Sequence, residues 1–467
     1  MAVSRNIVAV DLGAESGRVS LCRWDGSRGR IGQVYRFSNE ARRDGAHLVW
    51  DVEGIWREVL RGLAVAADQA GGRIDSVGVD GWGVDYALVG ADGARVGPCF
   101  CYRDPRNPPQ MERAFSLVPK ERIYRITGIQ FIPINTLYQL LAHIEESPDT
   151  WERARVFLNL PEYFLYRLSG ETVAELTNAS TTQMLDVSSR AWSQELARAF
   201  GLGLEKFPPL VEPGTILGKL RPEIETELGL KGTRVVAPAC HDTASAVAAI
   251  PFAHDRLAFI SSGTWSLVGT SLARPVTSPE AERLNFTNEG GVGRTTRFLK
   301  NIIGLWLLQE CLREWNAETE RWSAALVAER CAGRTPDGPW FDVESGDFLV
   351  PGDMVARINA ALREKGEREE HEPVELAAII FRSLARSYAR VVAETARVTG
   401  KTLERICIIG GGVKNETLNA LTAQFAGIEV LHGASESSSI GNAAVQIAAL
   451  EHERTLERIQ EISAEIR

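Results

Sequence analysis

At 467 residues the chain exceeds one domain of ordinary size and is long enough to bury two substantial cores. Its composition, 44% hydrophobic and 24% charged, excludes a disordered or fibrous chain. A formal net charge of −9 leaves no basic footprint for a nucleic acid or an anionic membrane, so any phosphate must be held locally. No run approaches the ~18 apolar residues of a membrane span, and the N-terminus has no long apolar segment before a small-residue cleavage site, so the expected location is cytoplasmic. The 7 cysteines are an odd, scattered set, which predicts reduced thiols; Cys99 and Cys101 lack partners for a zinc set and read as part of a strand.

The first predicted element is a hairpin. Apolar IVAV (7–10) is followed by the polar turn DLGAESG (11–17) and then RVSLC to Cys22. Strand patterns follow at SVGVD (76–80) and YALVG (86–90), a helical pattern at LYQLLAHIEE (137–146), and a strand at RVVAPA (234–239) before the small-residue helix TASAVAAI. LAFISSGTWSLVGTSL then repeats the opening pattern, with Gly263 standing where Gly13 stands in the first copy. Beyond it the sequence predicts a helix over NIIGLWLLQECLREW (301–315), a charged stretch at 363–375 and a long helix to about Val398. A strand RICIIG (405–410) leads into a helix with Leu418, Leu421 and Phe425 at helical spacing. Strands alternating with helices predict an α/β fold, and the repeat predicts two domains of one design, 1–251 and 252–467, divided near Pro251.

DLGAESGR has the makings of a phosphate turn. Gly13 and Gly17 permit close backbone approach, Ser16 and the turn N–H groups donate, and Arg18 adds positive charge. Asp11 would repel a phosphate unless a cation lay between them, so Mg²⁺ held through water is the natural occupant; a β-turn closed by an Asx-type hydrogen bond fits the same residues. SSGTWS supplies a second turn, with Gly263 for approach and Thr264 as hydroxyl donor. In IIGGGVKN, Gly410, Gly411 and Gly412 would let a flat base or ribose lie on the backbone, or would serve tight packing, and Asn415 is placed to cap the next helix. TGKT at 399–402 mimics a P-loop ending, but Thr395 occupies the position of the required glycine, so it is not one.

ACHDTASAVAAIP is the strongest catalytic stretch. Asp242 falls where a strand ends and a helix begins, at the positive end of the helix dipole, where a carboxylate stays ionised. There it would orient a sugar hydroxyl and accept its proton during phosphoryl transfer, or would simply N-cap the helix. His241 reads as a polar neighbour. GVDGWGVDY (78–86) brings aspartates, glycines and Trp82 to a strand end, suited to a sugar or to the core, and YRD (102–104) is compatible with the same wall. Asn301, at the start of the predicted helix carrying Trp306 and Gln309, is a cap or a ligand.

VAVDLGAESGR, DGWGVD, TNASTTQMLD, CHDTASAVAA, SSGTWSL, TNEGG and LKNIIGLWLLQ, taken in that order over nearly the whole chain, resemble the FGGY carbohydrate kinases. The resemblance implies two actin/hexokinase-like (ribonuclease H-like) α/β domains with an ATP/sugar cleft between them. It implies ATP- and Mg²⁺-dependent phosphorylation of a small ketose, L-rhamnulose at its 1-hydroxyl. Carried over position by position, Ala14, Glu15, Ser16, Gly17, Arg18 and Thr264 would meet the ATP phosphates, with Gln309 and Gly411 lining the nucleotide site. Gly83, His241, Asp242, Thr243 and Asn301 would meet the sugar, Asp242 as proton acceptor, and Asp11 would serve the metal. Residues 1–251 would then bind sugar and supply the base, and 252–467 would bind nucleotide. Glu15 and Gly81 depart from the small hydroxyl residues expected at their positions, which puts the Glu15 side-chain contact in doubt but not the backbone's. Another ketose (L-fuculose, L-xylulose) as substrate, or a non-kinase ATPase or sugar sensor, are the competing readings; Asp242 argues against a sensor. No nucleic-acid or membrane partner is expected, and the chain should act as a monomer or small homo-oligomer.

Overall fold

The computed structural model describes residues 4–252, 255–317 and 321–467. The chain packs as two units. The first comprises residues up to Pro251, Leu272–Arg297 and Ser437–Arg467; the second comprises Phe252–Ser271 and Phe298–Glu436.

In the first unit the opening hairpin forms as predicted. Strand β1 (Arg5–Leu12) is antiparallel to β2 (Ser16–Trp24), which is antiparallel to β3 (Gly29–Ser38). On its other side β1 runs parallel to β4 (Ser76–Gly81), and β4 runs parallel to β6 (Arg234–Ala237), with β5 (Thr215–Lys219) antiparallel at the edge. The sheet order is therefore β5-β6-β4-β1-β2-β3. Ile7, Val8, Ala9, Val10 and Leu12 are all fully buried, as a central strand covered on both faces requires.

The second unit repeats this plan. Strand β7 (Leu257–Ser262) forms a hairpin with β8 (Trp265–Leu272) and runs parallel to β10 (Arg405–Ile409), which runs parallel to β11 (Glu429–His432). With β9 (Thr296–Ile303) beside β8, the order β9-β8-β7-β10-β11 matches β3-β2-β1-β4-β6. Gly13 and Gly263 occupy the same hairpin turn in the two copies, the feature the sequence repeat implied.

Two expectations are corrected. The helix predicted from Asn301 begins only at Trp306: Asn301 lies in β9, where the run FLKNII is held extended by pairing beside β8. The division 1–251/252–467 also differs from the packing, since the helices Ser437–Leu450 and Leu456–Glu465 belong with the first unit. The physical reason is burial: Ile440, Ala443, Ala444, Ile447 and Ala448 share one core with Ile7, Ala239, Ala244 and Ala248.

Candidate active site

In the first unit the carboxyl ends of β1 and β4 place two carboxylates side by side, Asp11 and Asp80 being register partners in the parallel pair. Both are buried. Arg18, the cross-strand partner of Asp11, sets Nε 3.5 Å from Asp11 Oδ2, and the Ser438 hydroxyl donates to the same oxygen. Asp80 Oδ2 accepts from Asn442 Nδ2 at 2.8 Å. Burial, and then the neighbouring charge of Asp11, holds the Asp80 carboxyl well above the usual carboxylate range. Asp11 thus reaches beyond its own turn, to Ser438 on a distant helix.

The turn that follows is closed by Gly13 N–H donating to the Ser16 carbonyl at 3.0 Å. Asn39 braces it, donating from its side chain to the Gly13 carbonyl at 2.9 Å and from its backbone to the Glu15 carbonyl at 3.0 Å. Ala14, Glu15 and Ser16 are half-buried along this turn, and Ser16 Oγ accepts from Arg36 at 3.1 Å. Gly17 has a packing reason of its own: a Cβ there would stand 2.1 Å from the Phe37 ring.

The segment after β6 runs alongside these strand ends, Gly81 bridging His241 and donating to the Cys240 carbonyl at 3.0 Å. His241 is the N-cap of the helix Asp242–Ala248, and Asp242 is its first residue, so Asp242 does not cap. Its Oδ1 accepts from the backbone N–H and the hydroxyl of Thr243 and lies 3.5 Å from His241 Nε2. Behind His241, Arg297 Nη2 stands 2.9 Å from Nδ1 and 3.1 Å from Glu289 Oε2.

Two buried glutamates hold this loop from below. Glu175 accepts from Cys240 N–H at 2.8 Å, from Thr177 N–H at 2.8 Å and from the Thr177 hydroxyl, which itself accepts from His241 N–H at 3.2 Å. Glu162 accepts from Glu175 N–H at 3.1 Å and Asn178 Nδ2 at 2.7 Å. Burial pushes Glu175 up to about 7, and burial together with the Glu175 charge pushes Glu162 up to about 8. An acid raised in the folded state stabilises it fully below its ordinary value of 4.5 and ceases to do so as pH rises through about 8. The unfolding free energy is therefore expected to decline across that window, and less steeply in Glu162→Gln, whose amide Asn178 can meet by turning its own. Urea midpoints measured across the window test this; parallel pH slopes for the two proteins would discard the assignment.

Gly83 is enclosed: a Cβ would come 3.0 Å from Thr181 Oγ1. The next residue, Val84, is a β-branched residue at φ 71°, a strained conformation costing about 1–3 kcal/mol. It is held by Thr136 Oγ1 donating to its carbonyl at 2.7 Å. Asp85 then accepts from the indoles of Trp50 (2.6 Å) and Trp82 (2.9 Å), from Gln139 Nε2 (3.0 Å) and from Tyr102 N–H (3.2 Å). Burial outweighs these bonds and lifts its carboxyl to about 6. Trp82 is thus fixed by its polar edge, and its buried ring packs against that of Trp50 with centroids 4.6 Å apart. Asp104 of YRD serves the loop, accepting from Leu48 N–H at 2.6 Å.

In the second unit the β7–β8 turn is closed by Gly263 N–H donating to the Trp265 carbonyl at 2.9 Å. The Thr264 carbonyl accepts from Gly304 (3.1 Å) and Trp306 (3.2 Å), joining the turn to the helix Trp306–Trp315 that carries Gln309. Gln309 Oε1 is buried without a hydrogen-bond partner among the described residues. The glycine triplet after β10 divides its roles: a Cβ on Gly412 would strike Ser262 Oγ at 2.0 Å, whereas one on Gly411 would meet nothing within 4 Å. Asn415 caps the next helix as expected, accepting from Leu418 N–H at 3.0 Å.

The structure brings Asp11, the Gly13 turn, Gly83 and His241–Thr243 to one end of the first sheet, and Thr264, Gln309 and Gly411 to one end of the second. Reading the sequence missed Asp80, Glu162, Glu175, Glu289 and Arg297 as members of the first group. Asp80 and Glu289 stood in quoted motifs, but their partners on other segments, Asp11 and Asn442 for Asp80 and His241 for Glu289, were invisible there.

Residues 6–249 match the N-terminal domain of the FGGY family of carbohydrate kinases, and residues 258–450 match its C-terminal domain. A rhamnulokinase of Oceanobacillus iheyensis is 38% identical, with 97% of this chain and 95% of the relative aligned. One of Klebsiella pneumoniae subsp. pneumoniae is 40% identical, covering 98% and 92%. Among solved structures, a ligand-bound xylulose kinase from Lactobacillus acidophilus superposes with a TM-score of 0.79 at 16% identity, over 98% of this chain and 92% of the other. A Plasmodium falciparum glycerol kinase with ADP gives 0.76 at 14%, over 98% and 92%. The chain belongs to the FGGY carbohydrate kinases and has their two-domain α/β fold; it is an ATP-using sugar kinase.

Proposed function

We propose that this kinase transfers the γ-phosphoryl group of ATP to the 1-hydroxyl of L-rhamnulose, giving L-rhamnulose 1-phosphate and ADP. The observation that carries the reading is identity of about 40%, over nearly the full length, to proteins named rhamnulokinase. The reaction would run in the cytoplasm, the enzyme acting as a monomer or small homo-oligomer; among the described residues no helix is long and apolar enough to cross a membrane.

In this reading Asp242 takes the proton of the 1-hydroxyl as its oxygen bonds to the γ-phosphorus and the bond to ADP breaks. Thr243 and His241 hold the Asp242 carboxylate by the contacts described above. Gly83, His241, Thr243 and Asn301 would meet the sugar. Ala14, Glu15, Ser16, Gly17, Arg18 and Thr264 would meet the phosphates, and Gln309 and Gly411 the rest of the nucleotide. The buried, unpaired Gln309 Oε1 and the open face of Gly411 support the last two. Residues 1–251 would thus supply the base and every sugar contact but Asn301, and the β7–β11 region the nucleotide contacts beyond the Ala14–Arg18 turn.

A magnesium ion suits the strand end: it takes one or two carboxylates and keeps several waters, and Asp11 offers a hard oxygen with Asp80 in register beside it. Asp11 would hold it, and the ion would neutralise charge on the transferring phosphoryl group.

The test is the specificity constant for ADP release over a panel of ketoses, L-rhamnulose, L-fuculose and L-xylulose among them. L-Rhamnulose is expected to be best. A tenfold preference for another ketose, about 1.4 kcal/mol of transition-state discrimination, would overturn the substrate and leave the kinase in place.

A further inference from the structure

The motif TNEGG and the arginine beyond it take no part in the reaction as described, yet they converge on His241. Arg297 is 1% exposed, and its guanidinium is fixed at both ends: Nε donates to the Gly290 carbonyl at 2.8 Å, and Nη2 stands 2.9 Å from His241 Nδ1. A guanidinium has donors only and does not lose its proton. The atom facing it must therefore be a lone pair, which makes Nδ1 the acceptor and leaves the imidazole proton on Nε2. That nitrogen is the one 3.5 Å from Asp242 Oδ1.

The charged groups around the ring are Asp242 at Nε2 and, on the other side, Arg297 and Glu289, whose Oε2 lies 3.3 Å from Nδ1. Without Arg297, Glu289 would be the nearest polar group at Nδ1, and a carboxylate accepts only. The proton would then move to Nδ1, and a lone pair on Nε2 would face Asp242. Arg297 and Glu289 thus oppose one another in selecting the tautomer, with Arg297 the closer.

We propose that Arg297 is a positioning residue that holds His241 as the neutral Nε2–H tautomer, so that His241 donates toward Asp242 and the substrate oxygen and leaves Asp242 the sole proton acceptor. The inference rests on Asp242 being the base, but its primary readout does not depend on which sugar is the substrate.

The experiment is nitrogen-15 NMR of the histidine rings of the full-length protein, the His241 signals being assigned by their loss in His241→Gln. The expected wild-type spectrum has a protonated Nε2 and a bare Nδ1. In Arg297→Met the proton is expected on Nδ1, with kcat down about tenfold or more and the KM for ATP unchanged. An Nδ1–H or doubly protonated ring in the wild type would overturn the proposal, as would Arg297→Met retaining Nε2–H, whether or not its turnover falls. If Arg297→Met does not fold, the wild-type spectrum decides alone. Failure of the L-rhamnulose assignment would appear in the ketose panel and leave this spectrum untouched.

Discussion

Asp242→Asn is expected to lower kcat about a hundredfold or more while leaving ATP affinity and thermal stability close to wild type. The stability half of this expectation comes from the position of the residue. His241, not Asp242, is the cap of the helix Asp242–Ala248, so no capping bond is lost on substitution. The Asp242 oxygen that matters locally accepts from Thr243 N–H and its hydroxyl, and an asparagine carbonyl accepts in the same place. What asparagine cannot do is take up a proton at neutral pH. The two roles the sequence left open, base and cap, therefore separate cleanly. Steady-state kinetics with a melting curve in the presence and absence of ATP measures both; turnover near that of wild type would reject Asp242 as the proton acceptor.

The sequence made the two hairpins, the strand ends and the junction at Asp242 legible because each depends on contiguous residues: unbroken apolar runs, glycine at a turn, an acidic residue at a strand-to-helix junction. The parts it hid depend on contacts between distant segments. Asp80 acquires its meaning only when β4 lies in register beside β1, bringing its carboxyl against Asp11. Arg297 matters only because it reaches His241, and Glu175 only because its carboxylate receives the N–H of Cys240. The helix predicted from Asn301 failed for a local reason, since an apolar run before a glycine is consistent with either a strand or a helix and packing against β8 decides. The linear domain division could not foresee that the last helices pack with the first, because a helix rich in alanine does not announce which sheet it will cover.

The first of these two helices is where the largest structural effect is expected. Along Ser437–Leu450, Ser438 donates to Asp11, Asn442 donates to Asp80 at 2.8 Å, and Gln446 Nε2 donates to the Val8 carbonyl at 2.9 Å. Between them Gly441 faces the helix that begins at Asp242: a Cβ there would stand 1.8 Å from the Ser245 carbonyl oxygen and 2.6 Å from its carbon. Helix propensity alone favours alanine over glycine by about 1 kcal/mol. The clash acts the other way and is larger, because the obstructing atoms are backbone and no rotamer change relieves them; overpacking of this kind costs about 1–3 kcal/mol and occasionally more. Gly441→Ala is therefore expected to destabilise the first unit by about 2 kcal/mol or more, and to lower kcat as the two helices move apart and carry Asp242 away from Asp11 and Asp80. Urea unfolding and turnover, measured on the same preparation, test this expectation. A variant as stable as wild type with normal turnover would mean that the two helices separate freely, and that the helix Ser437–Leu450 does not set the position of the base.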